Sequence, residues 1–148
     1  VTQADTDERF MREALKEARK AFDAGEVPVG AVLVSRGKVI GRGSNQVEAL
    51  RDATAHAEML AITAGNHHLG AKYLAGCTLY VTLEPCGMCA GAMNWSQLSR
   101  LVYGAPDEQR GYRTLKGSVL HSKTRVRAGV LAAESTALLE AFFRRIRD

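Results

Sequence analysis

Near the start of the chain, apolar residues recur at three- and four-residue steps: Phe10, Met11, Ala14, Leu15, Ala18, Ala21 and Phe22 make one stripe. That period predicts an amphipathic helix. Asp5, with Glu8 three positions on, has the pattern of a capping box, and Gly25 stands where a helix stop belongs. The pattern then changes. Val29 to Val34 is a nearly continuous apolar run that predicts a buried strand, and Lys38 to Ser44 predicts a second. Ser35, Arg36 and Gly37 between them have the length and the glycine of a hairpin turn. A second helix is predicted from about Thr54 to Gly65, a third strand over Cys77 to Leu83, and a helix from about Cys86 to Gln97 with Pro85 in its first turn. Leu101 to Tyr103 and Arg125 to Val130 predict two more strands. The closing helix, from about Ala133, sets Leu138, Leu139, Phe142, Phe143 and Ile146 on one face. Strands alternating with helices predict an α/β sandwich around a mostly buried sheet.

A length of 148 residues without repeats or linker-like stretches reads as one domain, 1–148. With 46% hydrophobic and 24% charged residues the chain is globular rather than disordered. No apolar run reaches the length of a membrane span, and the first residues lack a charged-then-apolar leader pattern. The three cysteines, two of them at Cys86 and Cys89, do not fit a secreted disulfide framework. A cytoplasmic protein with no membrane partner is the reading. The net charge of +4 and pI of about 9.2 favour a polyanionic partner only weakly. Distribution says more. Arg100, Arg110, Arg113, Lys116, Lys123, Arg125 and Arg127 face only Asp107 and Glu108 in the same stretch, and the tail adds Arg144, Arg145 and Arg147. A solvated surface accounts for any one of them, whereas their clustering favours a nucleic acid.

Two short segments carry the chemistry. Thr54-Ala55-His56-Ala57-Glu58 opens a predicted helix, and Leu83-Glu84-Pro85-Cys86-Gly87-Met88-Cys89 ends a strand and opens the next helix. His56, Cys86 and Cys89 supply three ligands of the kind Zn2+ prefers, leaving one tetrahedral position for water, the mark of a catalytic rather than a structural site. Cys86 and Cys89 are helical neighbours, and a helix N-terminus lowers a thiol's pKa. His56 and Glu58 lie roughly 200° apart around an ideal helix, so they share a target only at its first turn. Glu58 would then take a proton from the activated water and deliver protons to the substrate's ring nitrogen and departing amine. A lone C-x-x-C is often a redox pair or half a zinc ribbon, and a lone His-x-Glu means nothing. Joined in this order with a proline before the first cysteine, they match the H-x-E and P-C-x-x-C signature of zinc base deaminases. A structural zinc site would need a fourth protein ligand, and Cys77 falls in a predicted strand where a buried apolar role suits it.

These residues resemble the cytidine/deoxycytidylate deaminase superfamily, and within it the bacterial tRNA-specific adenosine deaminases. The likeness extends through 26–34, Asn45, 53–58, 78–86, 88–93, 129–131, 137–139 and 142–145. The resemblance implies a three-layer α/β sandwich with a central five-stranded mixed sheet flanked by helices, a homodimer, and hydrolysis of adenosine to inosine at the wobble position of a tRNA anticodon. It implies ligands His56, Cys86 and Cys89, proton shuttle Glu58, and substrate contacts at Asn45 and at backbone groups around Ala57 and Pro85. Three places depart from the family pattern: Gly87 between the cysteines, Asn94-Trp95, and the segment 107–123.

Unaided, Asn45 reads as a turn residue after a strand. His67, His68 and His121 read as surface residues, and Trp95 as packing on a helix or at a dimer interface. Arg110, Tyr112, Arg113, Lys116, Arg144 and Arg145 are the RNA-binding candidates, with Tyr112 as a stacking surface between two arginines. Two rivals stand beside the anticodon stem-loop deaminase. A free-base or nucleoside deaminase for guanine, cytosine or adenosine would use the same zinc chemistry but needs no basic segment. A non-catalytic zinc-stabilised RNA-binding module would have no use for Glu58.

Overall fold

The computed structural model describes residues 1–147. Helix α1 (Gln3–Asp23) starts at Thr2, whose hydroxyl accepts from the Asp5 backbone while the Asp5 carboxylate accepts from the Thr2 backbone. The capping box therefore sits three residues earlier than the Asp5–Glu8 pairing predicts. β1 (Gly30–Ser35) and β2 (Lys38–Ser44) pair antiparallel through the two-residue turn Arg36-Gly37. Both turn residues have positive φ, 51° and 74°, which matches the twist of a tight hairpin. A short α2 (Val47–Leu50), α3 (Ala57–Leu69), β3 (Cys77–Leu83), α4 (Gly87–Trp95), β4 (Arg100–Ala105), β5 (Arg125–Arg127) and α5 (Ala132–Arg147) complete the chain.

The five strands form one mixed sheet in the order β2-β1-β3-β4-β5, with β3, β4 and β5 parallel. Alternation along the strands sorts the core into two layers. Ala31, Leu33, Leu79, Val81, Leu101 and Tyr103 face α3 and α4, meeting Ala57, Ala61, Ile62, Cys89 and Met93. Val32, Val34, Tyr80 and Val102 face the opposite way, onto Phe10, Met11 and Ala14 of α1. Helix α5 shares that second layer: the Ser135 hydroxyl donates to Thr82 O, and Phe142 meets Phe22 of α1 edge-on. The result is the three-layer α/β sandwich with a five-stranded mixed sheet.

Two features place the site. The first turn of α3 lies directly on β2, because Gly43 has no side chain: a Cβ there would run into the Ala57 carbonyl. β3 ends at Leu83, and α4 begins four residues later, so Pro85-Cys86 forms the turn at a parallel strand's carboxyl end. The closing helix differs from its predicted stripe. Phe142 is buried, but Phe143 and Ile146 are exposed.

Candidate metal centre and base cleft

His56 is the N-cap of α3 and Cys86 the N-cap of α4, so two helix starts converge. Nδ1 of His56 lies 3.6 Å from Sγ of Cys86 and 3.4 Å from Sγ of Cys89. The donor atoms of the three residues all lie within 4.8 Å of one another. Zinc bonds of about 2.3 Å to sulfur and about 2.1 Å to nitrogen, at a tetrahedral angle, would hold such atoms about 3.6 Å apart. Both nitrogen–sulfur separations therefore match what a tetrahedral zinc ion imposes, and the donor set fits that metal. Cys77 is not part of it; it is buried in β3, as its strand position predicts.

The electrostatics suit a metal as well. A hydrogen bond from Cys89, and then one from His56, draws the Cys86 thiol down to about 3, which favours the thiolate that ligates a metal. The same contact with Cys86, together with burial, raises Cys89, and His56 is raised by its bond to Cys86. Glu58 is the second residue of α3, within the first turn, where it can share a target with His56. It is buried, and that burial pushes its carboxyl up to about 7.

His56, Glu58 and Cys86 line a cleft of about 570 Å3, and Cys89 is buried. Val27, Val29, Val47 and Leu83 make apolar walls, Asn45 and Ala57 add polar groups, and Phe142, Phe143 and Ile146 close the side toward α5. The sequence set those last three on one helix face without saying what that face covers, because a helical stripe looks the same whether it covers a sheet or walls a cleft. The Ala57 N–H, at the first position of α3, has no partner within the helix. Pro85 O accepts from the Tyr112 backbone at 2.8 Å.

Two buried glutamates escaped the sequence reading. Glu84 accepts from the backbone of Asp107 and of Arg113 and from the Arg113 guanidinium, at 2.9–3.1 Å. It thereby fastens the 107–113 loop beside the Pro85-Cys86 turn, where Gly111 bridges Cys86. Gly111 must lack a side chain, since a Cβ would collide with the Glu84 carboxylate. Glu26 is the second, and it holds α2. Both lie in segments that resemble the family, 26–34 and 78–86, but nothing in the sequence alone shows what either carboxylate holds.

The three departures from the family pattern belong together. A Cβ on Gly87 would come within 2.6 Å of Leu115, and the Asn94 side-chain amide donates to Val119 O at 2.9 Å. Gly87 and Asn94 are thus the seat on α4 for the 107–123 segment. Trp95 is 86% exposed, so it packs on nothing within this chain.

The RNA-binding candidates separate on inspection. Arg110 lines the cleft. Arg144 lines an adjoining depression with Arg147, and Phe143 borders both hollows. Lys116 is exposed. Arg113 is held by Glu84, and Arg145 lies over the Phe22 ring and donates to Phe22 O. Tyr112 is half-buried and meets Tyr103 edge-on at 6.4 Å, packed against the core rather than standing as a free platform. In the same basic stretch, Arg100 and Arg127 are engaged by the buried Asp7.

The comparisons agree with this geometry. Residues 4–105 match the model of the cytidine and deoxycytidylate deaminase zinc-binding region. The tRNA-specific adenosine deaminase of Aquifex aeolicus is 42% identical over 95% of the chain and 96% of its own length. The chloroplastic tRNA(adenine(34)) deaminase of Arabidopsis thaliana is 48% identical over 93% of the chain, which spans only 12% of that protein. Among solved structures, one from studies of A-to-I editing by tRNA:A34 deaminases aligns with TM-score 0.83 and 43% identity, over 88% of this chain and 99% of that one. A guanine deaminase from Nitrosomonas europaea aligns with TM-score 0.79 at 27% identity, over 91% and 83%. Among the described residues no helix is long and apolar enough to cross a membrane. The chain belongs to the cytidine and deoxycytidylate deaminase zinc-binding family.

Proposed function

We propose that this chain hydrolyses adenosine to inosine at the wobble position of a tRNA anticodon. The observation that carries the chemistry is the His56–Cys86–Cys89 cluster, which opens through His56 and Cys86, beside buried Glu58, onto an apolar cleft. The tRNA deaminase relatives, 41–48% identical over 93–95% of the chain, favour the substrate over the guanine deaminases, which are 27% identical over 91% of the chain or 40% identical over only 67% of it. His56, Cys86 and Cys89 would hold zinc, which supplies Lewis-acid activation of water.

Glu58 does the proton work. It takes one proton from water as the oxygen bonds to C6 of adenine, and passes it to N1. It then carries the remaining hydroxyl proton to the amine as the C6–N bond breaks. Ammonia leaves, C6 becomes a carbonyl, and Glu58 returns to its starting state. Asn45 has one N–H and one lone pair free for the purine edge, and Ala57 and Cys86 line the same space, with Pro85 buried just before Cys86. The apolar walls suit a base lifted out of its stack.

Arg110 at the cleft, Arg144 in the adjoining depression and the exposed Lys116 would contact the phosphates of a loop. We read the chain as one deaminase domain that works as a homodimer in the cytoplasm. The exposed Trp95 on α4 supports the pairing, and three free cysteines suit a reducing compartment. The test is incubation of zinc-loaded protein with total tRNA and, separately, with guanine, cytosine and adenosine. Inosine at a wobble position supports the reading, and deamination of free bases alone overturns it.

A further inference from the structure

Glu26 is 2% exposed, yet no cationic side chain pairs with it among the described residues. Its two oxygens instead accept the backbone N–H groups of Glu48 at 2.9 Å and Ala49 at 2.8 Å. These are the second and third residues of α2, whose own N-cap, Gln46, makes no side-chain capping bond. Glu26 therefore caps a helix from more than twenty positions away.

A buried carboxylate is costly unless it is fully hydrogen-bonded. Core stability does not explain this one, because α2 contributes no buried residue. What the tie does hold is Asn45. Nδ2 of Asn45 donates to Val27 O at 3.1 Å, next in the chain to Glu26. Oδ1 accepts from Val47 N at 3.3 Å, the first residue of α2. Each end of the carboxamide is gripped by one of the two segments that Glu26 joins. Were α2 to drift, the amide could turn over about its last torsion, exchanging its donor for its acceptor toward the cleft.

We propose that Glu26 is a positioning residue that fixes the donor–acceptor orientation of the Asn45 carboxamide, and through it the approach of the base edge to the metal centre. The proposal rests on the reading of the cleft as the base site. It predicts that Glu26 acts through Asn45 and not through the fold at large.

Glu26→Gln keeps the shape but turns one acceptor into an N–H facing a backbone N–H, which breaks the fork. In zinc-loaded protein, Glu26→Gln should leave metal content and stem-loop Kd near wild type while kcat falls about tenfold or more, the scale of a lost charge-assisted hydrogen bond. In an Asn45→Ala background the same change should cost less than about twofold, since coupled residues are non-additive. An equal fall in both backgrounds, or no fall in either, overturns the proposal. If Asn45→Ala retains full activity, the base contact assigned to Asn45 is wrong and the proposal falls with it.

A second arm needs no substrate. The Asn45 side-chain amide, followed by NMR in zinc-loaded protein without RNA, should exchange with solvent or broaden far more in Glu26→Gln than in wild type. Unchanged protection overturns the proposal. Should wild type leave the stem-loop intact, the tRNA reading fails, while this arm still decides whether Glu26 holds Asn45.

Discussion

Arg113 binds Glu84 twice, through its backbone N–H to Oε2 at 3.1 Å and its guanidinium to Oε1 at 2.9 Å. The guanidinium is thus neutralised by a carboxylate that reaches up from beside the metal turn, whereas Arg110 lines the cleft. The two arginines should separate in a salt titration of stem-loop binding. Arg110→Ala should reduce the slope of log affinity against log salt by about 0.7, the share of one phosphate on a single strand. Arg113→Ala should leave the slope nearly unchanged and instead loosen the 107–113 loop. Equal slopes for the two variants would contradict the assignment.

The buried Asp7 joins α1 to the far strands of the sheet. It accepts a two-bond fork from Arg100 at 2.7 and 2.8 Å, and further bonds from Arg127 and the Tyr80 hydroxyl at 2.7 Å. Burial opposes its charge, but the bonds from Arg100, Tyr80 and Arg127 prevail and hold the carboxyl well below its usual range. A depressed carboxyl stabilises the fold at pH values above its unfolded value of about 3.9 and loses that contribution as pH falls toward the folded value. Asp7→Asn leaves two arginines facing a neutral group and should cost about 3–5 kcal/mol at pH 7. The Tm gap between wild type and variant should therefore narrow steadily below pH 4. A constant gap would show that the charge of Asp7 is not what stabilises the junction.

Gly43 connects packing to the metal. Because the Ala57 carbonyl lies where a Cβ would go, Gly43→Ala must push the start of α3, with His56 and Glu58, off the sheet. Overpacking of this kind costs about 1–3 kcal/mol. The variant should lose zinc to a chelator faster than wild type in addition to melting earlier. Earlier melting with unchanged zinc release would mean the ligands do not depend on that contact.

Ligand deletion tests the metal centre itself. Cys89→Ser should purify with little zinc and a lowered Tm, because metal binding and folding are coupled. Full zinc occupancy in that variant, measured by elemental analysis, would remove Cys89 from the ligand set.

Much of this was legible in the sequence because local chemistry and tertiary structure agree. β2 and β3 begin and end at the predicted residues, where alternation and turn residues mark them on both sides. The metal cluster was legible because its ligands sit at helix starts that the motif spacing already implies. Helix α3 was misplaced at both ends for physical reasons. Thr54 turns back to bond Asp52, so the helix starts at Ala57. Gly65 reads as a stop but serves as a seat for Leu33, and the stop is Gly70 with φ 63°. β5 ends at Arg127 because its ladder with β4 ends there, at Val102. The role of Glu26 and the helix α2 were illegible, since a four-residue helix with no buried face is capped by a side chain distant in sequence.

The most direct measurement follows product formation on an anticodon stem-loop with adenine at the wobble position, comparing zinc-loaded wild type with Glu58→Gln. Positioned proton transfer is worth about 10² to 10⁴ in rate, and glutamine preserves shape without it. Wild type should release one ammonia and form one inosine per RNA, while Glu58→Gln, with zinc and fold retained, should form almost none. Equal inosine from both proteins would contradict the role of Glu58. An intact stem-loop alongside rapid deamination of guanine, cytosine or free adenosine would contradict the tRNA substrate.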